Sequence, residues 1–441
     1  MMKKLNIRKL YKAAALLILL VSSALLPLSC TGRGGAAGQG NLIYWSSNNT
    51  DEIIFARQTV EGWNRTGKGR SIQFQPVPEG QSSEEVILAA VVGGTTPDIY
   101  SNMWQGDVEM YARAGKLIAL DNIPGFMEFL KERCDSSVIE EIRSTDGHIY
   151  QIPWKINPIM LIYNTKMFSA AGFEKPPVTY SDFFRAAENI KRVDESSGYT
   201  VRWIGYAEVL VTWWQRFFDF YPIYLAASGG GHLVVNNRAA FNNKYAVETF
   251  RFLKTLFDRG YFPRERISAR RDPFLGGDIA TRFTGPWEIA HAEKFKPAGF
   301  EFSFTGIPVP DNFRGNRYTY CDPKNIVLFK TCRDPEGALK FIKHMLSSEN
   351  DLNLLKITAQ LPRRKDLLED PNYNEYFRQN PRMIVFAEQA KHVRGPDICP
   401  VLKEVFDAIS QEYEACVVYG KKSPEQAVSD AARAVDLILL Q

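Results

Sequence analysis

Between Asn41 and Tyr100 the sequence switches its hydrophobic period several times, and this alternation limits the folds open to it. Asn41-Leu42-Ile43-Tyr44-Trp45 reads as a strand running into the polar cluster Ser46-Ser47-Asn48-Asn49-Thr50. Asp51 and Glu52 suit a first helical turn. Ile53, Ala56, Val60 and Trp63 then recur at helical spacing until Asn64-Arg65-Thr66-Gly67 ends the helix. Ile72 to Val77 alternates as a second strand, Val86 to Val92 forms a helix closed by Gly93-Gly94, and Pro97-Asp98-Ile99-Tyr100 opens a third strand. Strand, helix, strand, helix, strand is the pattern of an α/β fold on a mostly parallel sheet. Helical patterns return after Ser181-Asp182, over 246–258, 335–347 and 424–440, with a strand over 325–329, and no solenoid period appears.

Length allows two or three domains, and the chain is 45% apolar and 24% charged, as soluble globular proteins are. The 12% aromatic content is high enough to line a ligand cleft as well as a core. Residues 1–12 carry five basic groups, and Ala13 to Cys30 follows without a charge. This is the layout of a secretory signal peptide. Leu28-Ser29-Cys30 resembles a bacterial lipobox, with Pro27 where Leu is commonest, so residues 1–29 are expected to be removed and Cys30 lipidated. The alternative is an uncleaved anchor, since the apolar run nears spanning length. Residues 30–40, rich in Gly, read as the lipidated Cys and a flexible tether. The net charge of +4 includes the five basic residues of 1–29, where there is no acidic one, so the rest carries −1. No nucleic-acid surface follows from that balance.

The five His are scattered, and HExxH, GxSxG and P-loop patterns are absent. Gly32-Arg33-Gly34-Gly35-Ala36-Ala37 matches a dinucleotide fingerprint formally, but no strand precedes it. No catalytic group, metal or cofactor is expected. Cys134, Cys321, Cys332, Cys399 and Cys416 show no metal spacing; Cys321 and Cys332 could pair across a hairpin, or all could be small buried apolar residues. Residues 150–168, YQIPWKINPIMLIYNTKMF, begin and end as strand, yet Pro153 and Pro158 interrupt the middle and Trp154, Lys155 and Asn157 lie between them.

Several segments, in order, resemble the extracellular solute-binding proteins of ABC importers, of the maltose-binding and glycerol-3-phosphate-binding type. They are Ala89-Ala90-Val91-Val92-Gly93-Gly94-Thr95-Thr96-Pro97-Asp98-Ile99, Ala114 to Asp121, Ile152-Pro153 with Tyr163-Asn164, Ala171-Gly172-Phe173 through Phe183, Phe274 to Trp287, Pro308-Val309-Pro310 and Gln360-Leu361-Pro362-Arg363-Arg364. The resemblance implies two α/β lobes, each a mostly parallel sheet flanked by helices, closing like a hinge on a ligand. One lobe would hold 41–153 plus 323–361 and the other 158–320 plus 362–441, with 153–158 a crossover strand at the cleft floor. It also implies a monomer that hands a sugar or polyol to ABC permease subunits from the outer side of a bacterial membrane, held there by its lipid.

Sugar recognition needs aromatic faces and polar groups for hydroxyls. Trp287, in Gly285-Pro286-Trp287, is the leading aromatic by resemblance, and a core Trp beside a turn is the other reading. Of the pair Trp213 and Trp214, at most one is expected to touch ligand. Glu208 lies where maltose-type relatives carry a ligand-binding acid; it could equally be a solvated surface acid. Asn157 stands where those relatives carry a carboxylate, and Lys155 is a weaker candidate. Asn102, Trp104 and Gln105 follow the third strand, and Ser47 and Asn48 the first, at the carboxyl ends where α/β sheets bind ligands; turn chemistry would also explain them. Arg394-Gly395 resembles the glycerol-phosphate branch, and its guanidinium suits a phosphate, so glycerol-3-phosphate or a glycerophosphodiester is an alternative ligand. From other classes, a periplasmic hydrolase and a surface adhesin or sensor stay open.

Overall fold

The structure is a computed structural model that describes residues 40–78, 82–197, 201–267 and 271–440. The expected signal peptide, Cys30 and nearly all of the tether lie outside the described residues.

The first sheet has six strands in the order β12-β4-β11-β3-β1-β2. Its early members are β1 (Leu42–Ser46), β2 (Ile72–Pro76) and β3 (Ile99–Trp104). They are completed by β4 (Ile152–Ile156), β11 (Lys324–Leu328) and β12 (Leu361–Pro362). The second sheet is β8-β5-β9, with β5 (Met160–Asn164) between β8 (Thr281–Thr284) and β9 (Phe302–Thr305). A small pair joins β10 (Thr319–Tyr320) to β13 (Val393–Arg394), and β6 (Val234–Val235) with β7 (Arg238–Ala239) makes a hairpin.

The α/β class holds, but the sheets are less parallel than the sequence pattern predicts. Among the described residues of the two larger sheets only β2-β1-β3 pair in parallel, and the short pair β10-β13 is parallel as well. β11 meets β3 and β4 antiparallel, as β12 meets β4, and both pairings of β5 are antiparallel. The local strand–helix units of 41–104 do build parallel pairs. The remaining strands arrive from far along the chain, where no crossover helix dictates direction.

Each lobe has its own core. Around the first sheet Tyr44, Phe55, Trp63, Trp154, Leu328 and Phe341 pack together. The largest cluster, of the other lobe, gathers Phe183, Phe220, Tyr221, Leu253, Phe406 and Tyr413. Cys134, Cys321, Cys332, Cys399 and Cys416 are all unpaired and buried.

The stretch with two prolines divides as its ends suggest, at a different point. β4 lies in the first sheet and is buried along its whole length. Pro153 is tolerated there because the ladder to β11 shifts register between Lys324 and Asn325, beside the residue that faces Pro153. The connection to the second sheet is therefore Asn157–Ile159. It runs against the return segment: the Asn157 amide donates to Cys321 O (2.6 Å), and Ile159 N to Tyr320 O (2.8 Å).

Candidate functional site

Trp104 ends β3 in the first sheet, yet its ring belongs to the core cluster of the other lobe and is only 5% exposed. Its ring centroid lies 5.4 Å from that of Trp213 and 5.3 Å, edge-on, from that of Phe217. Its indole N–H donates to the Tyr320 hydroxyl (3.0 Å). The ring folds back over Gly106, where an added Cβ would come within 2.3 Å of it. Gly106 is thus what permits Trp104 to reach across.

Around this ring opens a cleft of about 720 Å³. Trp104, Trp213, Trp214, Phe217, Phe218 and Tyr320 give it aromatic walls, and Glu84, Asp322, Lys324 and Lys403 give it polar edges. Trp213 opens a short 3-10 turn, Trp213–Phe217. Both tryptophans of the pair, of which at most one is expected to touch ligand, line the cleft: Trp213 packs against Trp104, and Trp214 is 45% exposed. Successive residues on a 3-10 turn point about 120° apart, so one packs inward while both border the opening. Burial alone would lower the Lys324 ammonium, but Asp322 and Glu84 outweigh it and hold it above its usual value. Lys403 reaches Asp107 across the lobes at 2.8 Å.

Trp287 stands one ring further back. It opens a helix, is half-buried, and meets Phe218 edge-on at 6.4 Å. Its ring covers Gly285, where a Cβ would lie 2.2 Å away. The spacing Gly285-x-Trp287 mirrors Trp104-x-Gly106, a signal of folded-back indoles that the sequence offered.

Beside the cleft floor runs a buried polar chain. Lys155 pairs with Glu52, and both are buried. Glu52 also accepts from Ser47 Oγ (2.7 Å) and Gln360 Nε2 (2.8 Å), and Gln360 Oε1 accepts from Asn157 Nδ2 (3.3 Å). Asn157 Oδ1 is buried without a partner among the described residues. Burial alone would raise the Glu52 carboxyl; the Lys155 ammonium outweighs it and holds the carboxyl below its ordinary value. Lys155 therefore turns into the first lobe toward Glu52 and not toward ligand space. In sequence Gln360 is part of a family-like segment with no sign of its role, and Glu52 looks like a helix-start acid; only the fold joins them.

The remaining candidates are dispersed. Asn102 is buried on β3, and Asn48 is exposed with Asn49, not Asn48, capping the helix Thr50–Thr66. Glu208 is no solvated surface acid: it is buried, accepts from the amides of Val209 (2.9 Å) and Leu210 (3.2 Å), and faces Arg266 at 3.6 Å. Gln105 is buried and reaches Pro396 O (3.4 Å) and Glu141 (3.5 Å). Arg394 lines a different cavity, of about 570 Å³, with Arg363, Glu141, His232 and Tyr318. It shares no lining residue with the aromatic cleft.

Among the described residues, Asp272, Glu288 and His291 form a group of metal-ligand type. The Arg282 guanidinium already bonds both Asp272 (2.9 Å) and Glu288, so a cation of the chain's own occupies that role.

Residues 59–379 match the family model of the bacterial extracellular solute-binding proteins, and the chain belongs to that family. It is 25% identical over 313 residues to the maltodextrin-binding protein MdxE of Bacillus subtilis, covering 66% of this chain and 67% of that one. An uncharacterized protein of Listeria monocytogenes has the same fold, with a TM-score of 0.79, 25% identity, and 91% of this chain and 100% of that one covered. So does the cyclic alpha-maltosyl-1,6-maltose binding protein of Arthrobacter globiformis, at TM-score 0.77, 22% identity, and 91% and 99% coverage. The expected two-lobed α/β fold is the one observed.

Proposed function

We propose that this protein captures a sugar or related polyol between its lobes and delivers it to the permease of an ABC importer, without transforming it. The observation that carries the reading is the aromatic cleft itself. Trp104 comes from one side, and Trp213, Trp214 and Phe218 from the other, with charged groups and the Ser82 hydroxyl at the edges. Ring faces match the apolar face of a pyranose, and the polar edges match its hydroxyls. The names of the relatives, binders of maltodextrin and of a cyclic maltose derivative, fit the same class. In this reading one lobe holds the first sheet and the other the second, the chain crosses between them at Asn157–Ile159, and ligand selects the closed arrangement. Asn157, Trp214 and Lys324 are assigned contacts with ligand, and Trp287 supports Phe218. A lipid on Cys30 holds the monomer to the outer side of the membrane.

The test is thermal unfolding with a panel of mono- and oligosaccharides. A ligand of the native state raises the melting temperature, so at least one sugar is expected to shift it by several degrees. A panel that leaves it unmoved, or sugar recovered as hydrolysis product, would sink the proposal.

A further inference from the structure

The charge around the aromatic cleft does not balance. Glu84, Glu85 and Asp322 line it with negative charge, and Lys324 and Lys403 with positive. Lys403 is already taken, because its ammonium pairs with the buried Asp107 at 2.8 Å. Lys324 faces the rest alone, with Glu84 at 3.7 Å and Asp322 at 3.8 Å. Both distances exceed a hydrogen bond, so one ammonium is shared by two carboxylates and bonded to neither. Glu85 is exposed, and among the described residues no cation lies within ion-pair distance of it. Three carboxylates therefore meet one available ammonium.

Glu84 and Glu85 have a second reason for their place, since the first turn of the helix Ser83–Gly93 favours acids. Asp322 has no such reason. It lies between β10 and β11 at φ +36°, in the left-handed region where a side chain is strained. Its Oδ1 accepts from the Tyr320 hydroxyl (3.2 Å), and the Tyr320 oxygen accepts from the Trp104 indole (3.0 Å). That chain of bonds fixes the carboxylate beside the rings. Among the described residues its Oδ2 has no hydrogen bond.

The aromatic walls suit a cation as well. The Lys403 ammonium lies 5.4 Å from the centroid of the Trp213 ring, a charge held against an indole face in this same cleft. Among the described residues no cation of the chain stands over the exposed Trp214.

We propose that the ligand of this cleft is an amino sugar, a saccharide bearing a protonated amine, and that Asp322 is the carboxylate that receives the ammonium. The inference rests on sugar capture and narrows it. The ligand's ammonium supplies the cation that the lining lacks, and Asp322 Oδ2 accepts its N–H in a charge-assisted bond. A neutral sugar leaves the negative excess in place as the lobes exclude water, and carboxylates shut away from water without a partner are costly.

The experiment is calorimetric titration of the full chain with matched pairs of sugars: glucosamine against glucose, galactosamine against galactose, mannosamine against mannose, and chitobiose against cellobiose. N-acetylglucosamine and diacetylchitobiose serve as neutral N-substituted controls. At about pH 6, below the usual range of an amine, the amine of at least one pair should bind about tenfold or more tighter than its neutral partner. The N-acetyl forms should fall with the neutral sugars, and added salt should narrow the gap. Asp322→Asn keeps a residue that tolerates the left-handed backbone and should erase most of the gap. If that variant fails to fold, Glu85→Gln decides, with the gap expected to narrow by about threefold. Neutral sugars that bind as tightly as the amines, or a gap that survives the deciding variant, overturn this proposal and leave sugar capture standing. Silence of every saccharide overturns both.

Discussion

The aromatic cleft and the arginine cavity differ in how they treat charge. In the cleft, ring faces dominate and the charges stand at the edges, as Lys324 does between Glu84 (3.7 Å) and Asp322 (3.8 Å). In the cavity five of the eight lining residues between 362 and 369 are charged, and among the described residues the guanidiniums of Arg363, Arg364 and Arg394 each keep an unsatisfied donor. The difference shows that one fold can present two surfaces of opposite chemistry, provided something rigid separates them. The Gln105–Glu141–Gly395 contact is that separation.

The strongest way to break the contrast is to remove the chain's anchor. Glu52→Gln leaves the Lys155 charge buried and unpaired, and should cost about 3–5 kcal/mol of stability in urea unfolding. A loss below about 1 kcal/mol would mean the connections are held by something else.

The next test keeps titration in the scaffold apart from titration at either surface. Asp219 is fully buried 3.0 Å from Arg216, and burial pushes its carboxyl up to about 6 against the pull of that arginine. Between about pH 4 and 6 the native state then holds a proton that the unfolded chain has released. Stability from this group falls as pH rises through that window, by about 3 kcal/mol in all. Wild type should lose ground to Asp219→Asn across those pH values, and parallel curves would refute the assignment.

Trp214→Ala sharpens the contrast from the cleft side. The exposed ring carries little of the fold, so ligand affinity should drop by about tenfold, or 1–2 kcal/mol, with the melting temperature of the free protein nearly unchanged. The smallest effect belongs to Lys403→Met. Losing the cross-lobe pair with Asp107 should favour the open arrangement by about 1 kcal/mol or less, visible as a larger radius of gyration in solution scattering of the sugar-free protein.

What the sequence revealed followed from neighbours along the chain. The elements of 41–104 were legible because each is a local period. Trp104, Trp213 and Trp214 were legible as aromatics next to polar or turn residues. Lys155 was misread because its partner Glu52 lies on a helix that sequence spacing cannot bring to it. Phe217, Phe218 and Tyr320 were missed as cleft walls since an apolar run looks the same whether it faces a core or a ligand. Arg394 is legible as a guanidinium suited to a phosphate, but its place is not: the pairing of β13 with β10 sets it in a cavity apart from the tryptophans.

The position of β11 has a consequence for how the chain reaches this state. It lies between β3 and β4, opposite Met103 and Pro153, so the first sheet has a gap until residues 324–328 are made. A nascent chain that has produced β1, β2 and β3 still exposes the open edge of β3, an edge that invites pairing with other chains. Contacts of such long sequence separation make folding slow. A fragment ending before Lys324 is expected to aggregate, and the same fragment supplied with a separate piece spanning 324–441 is expected to recover soluble, folded protein.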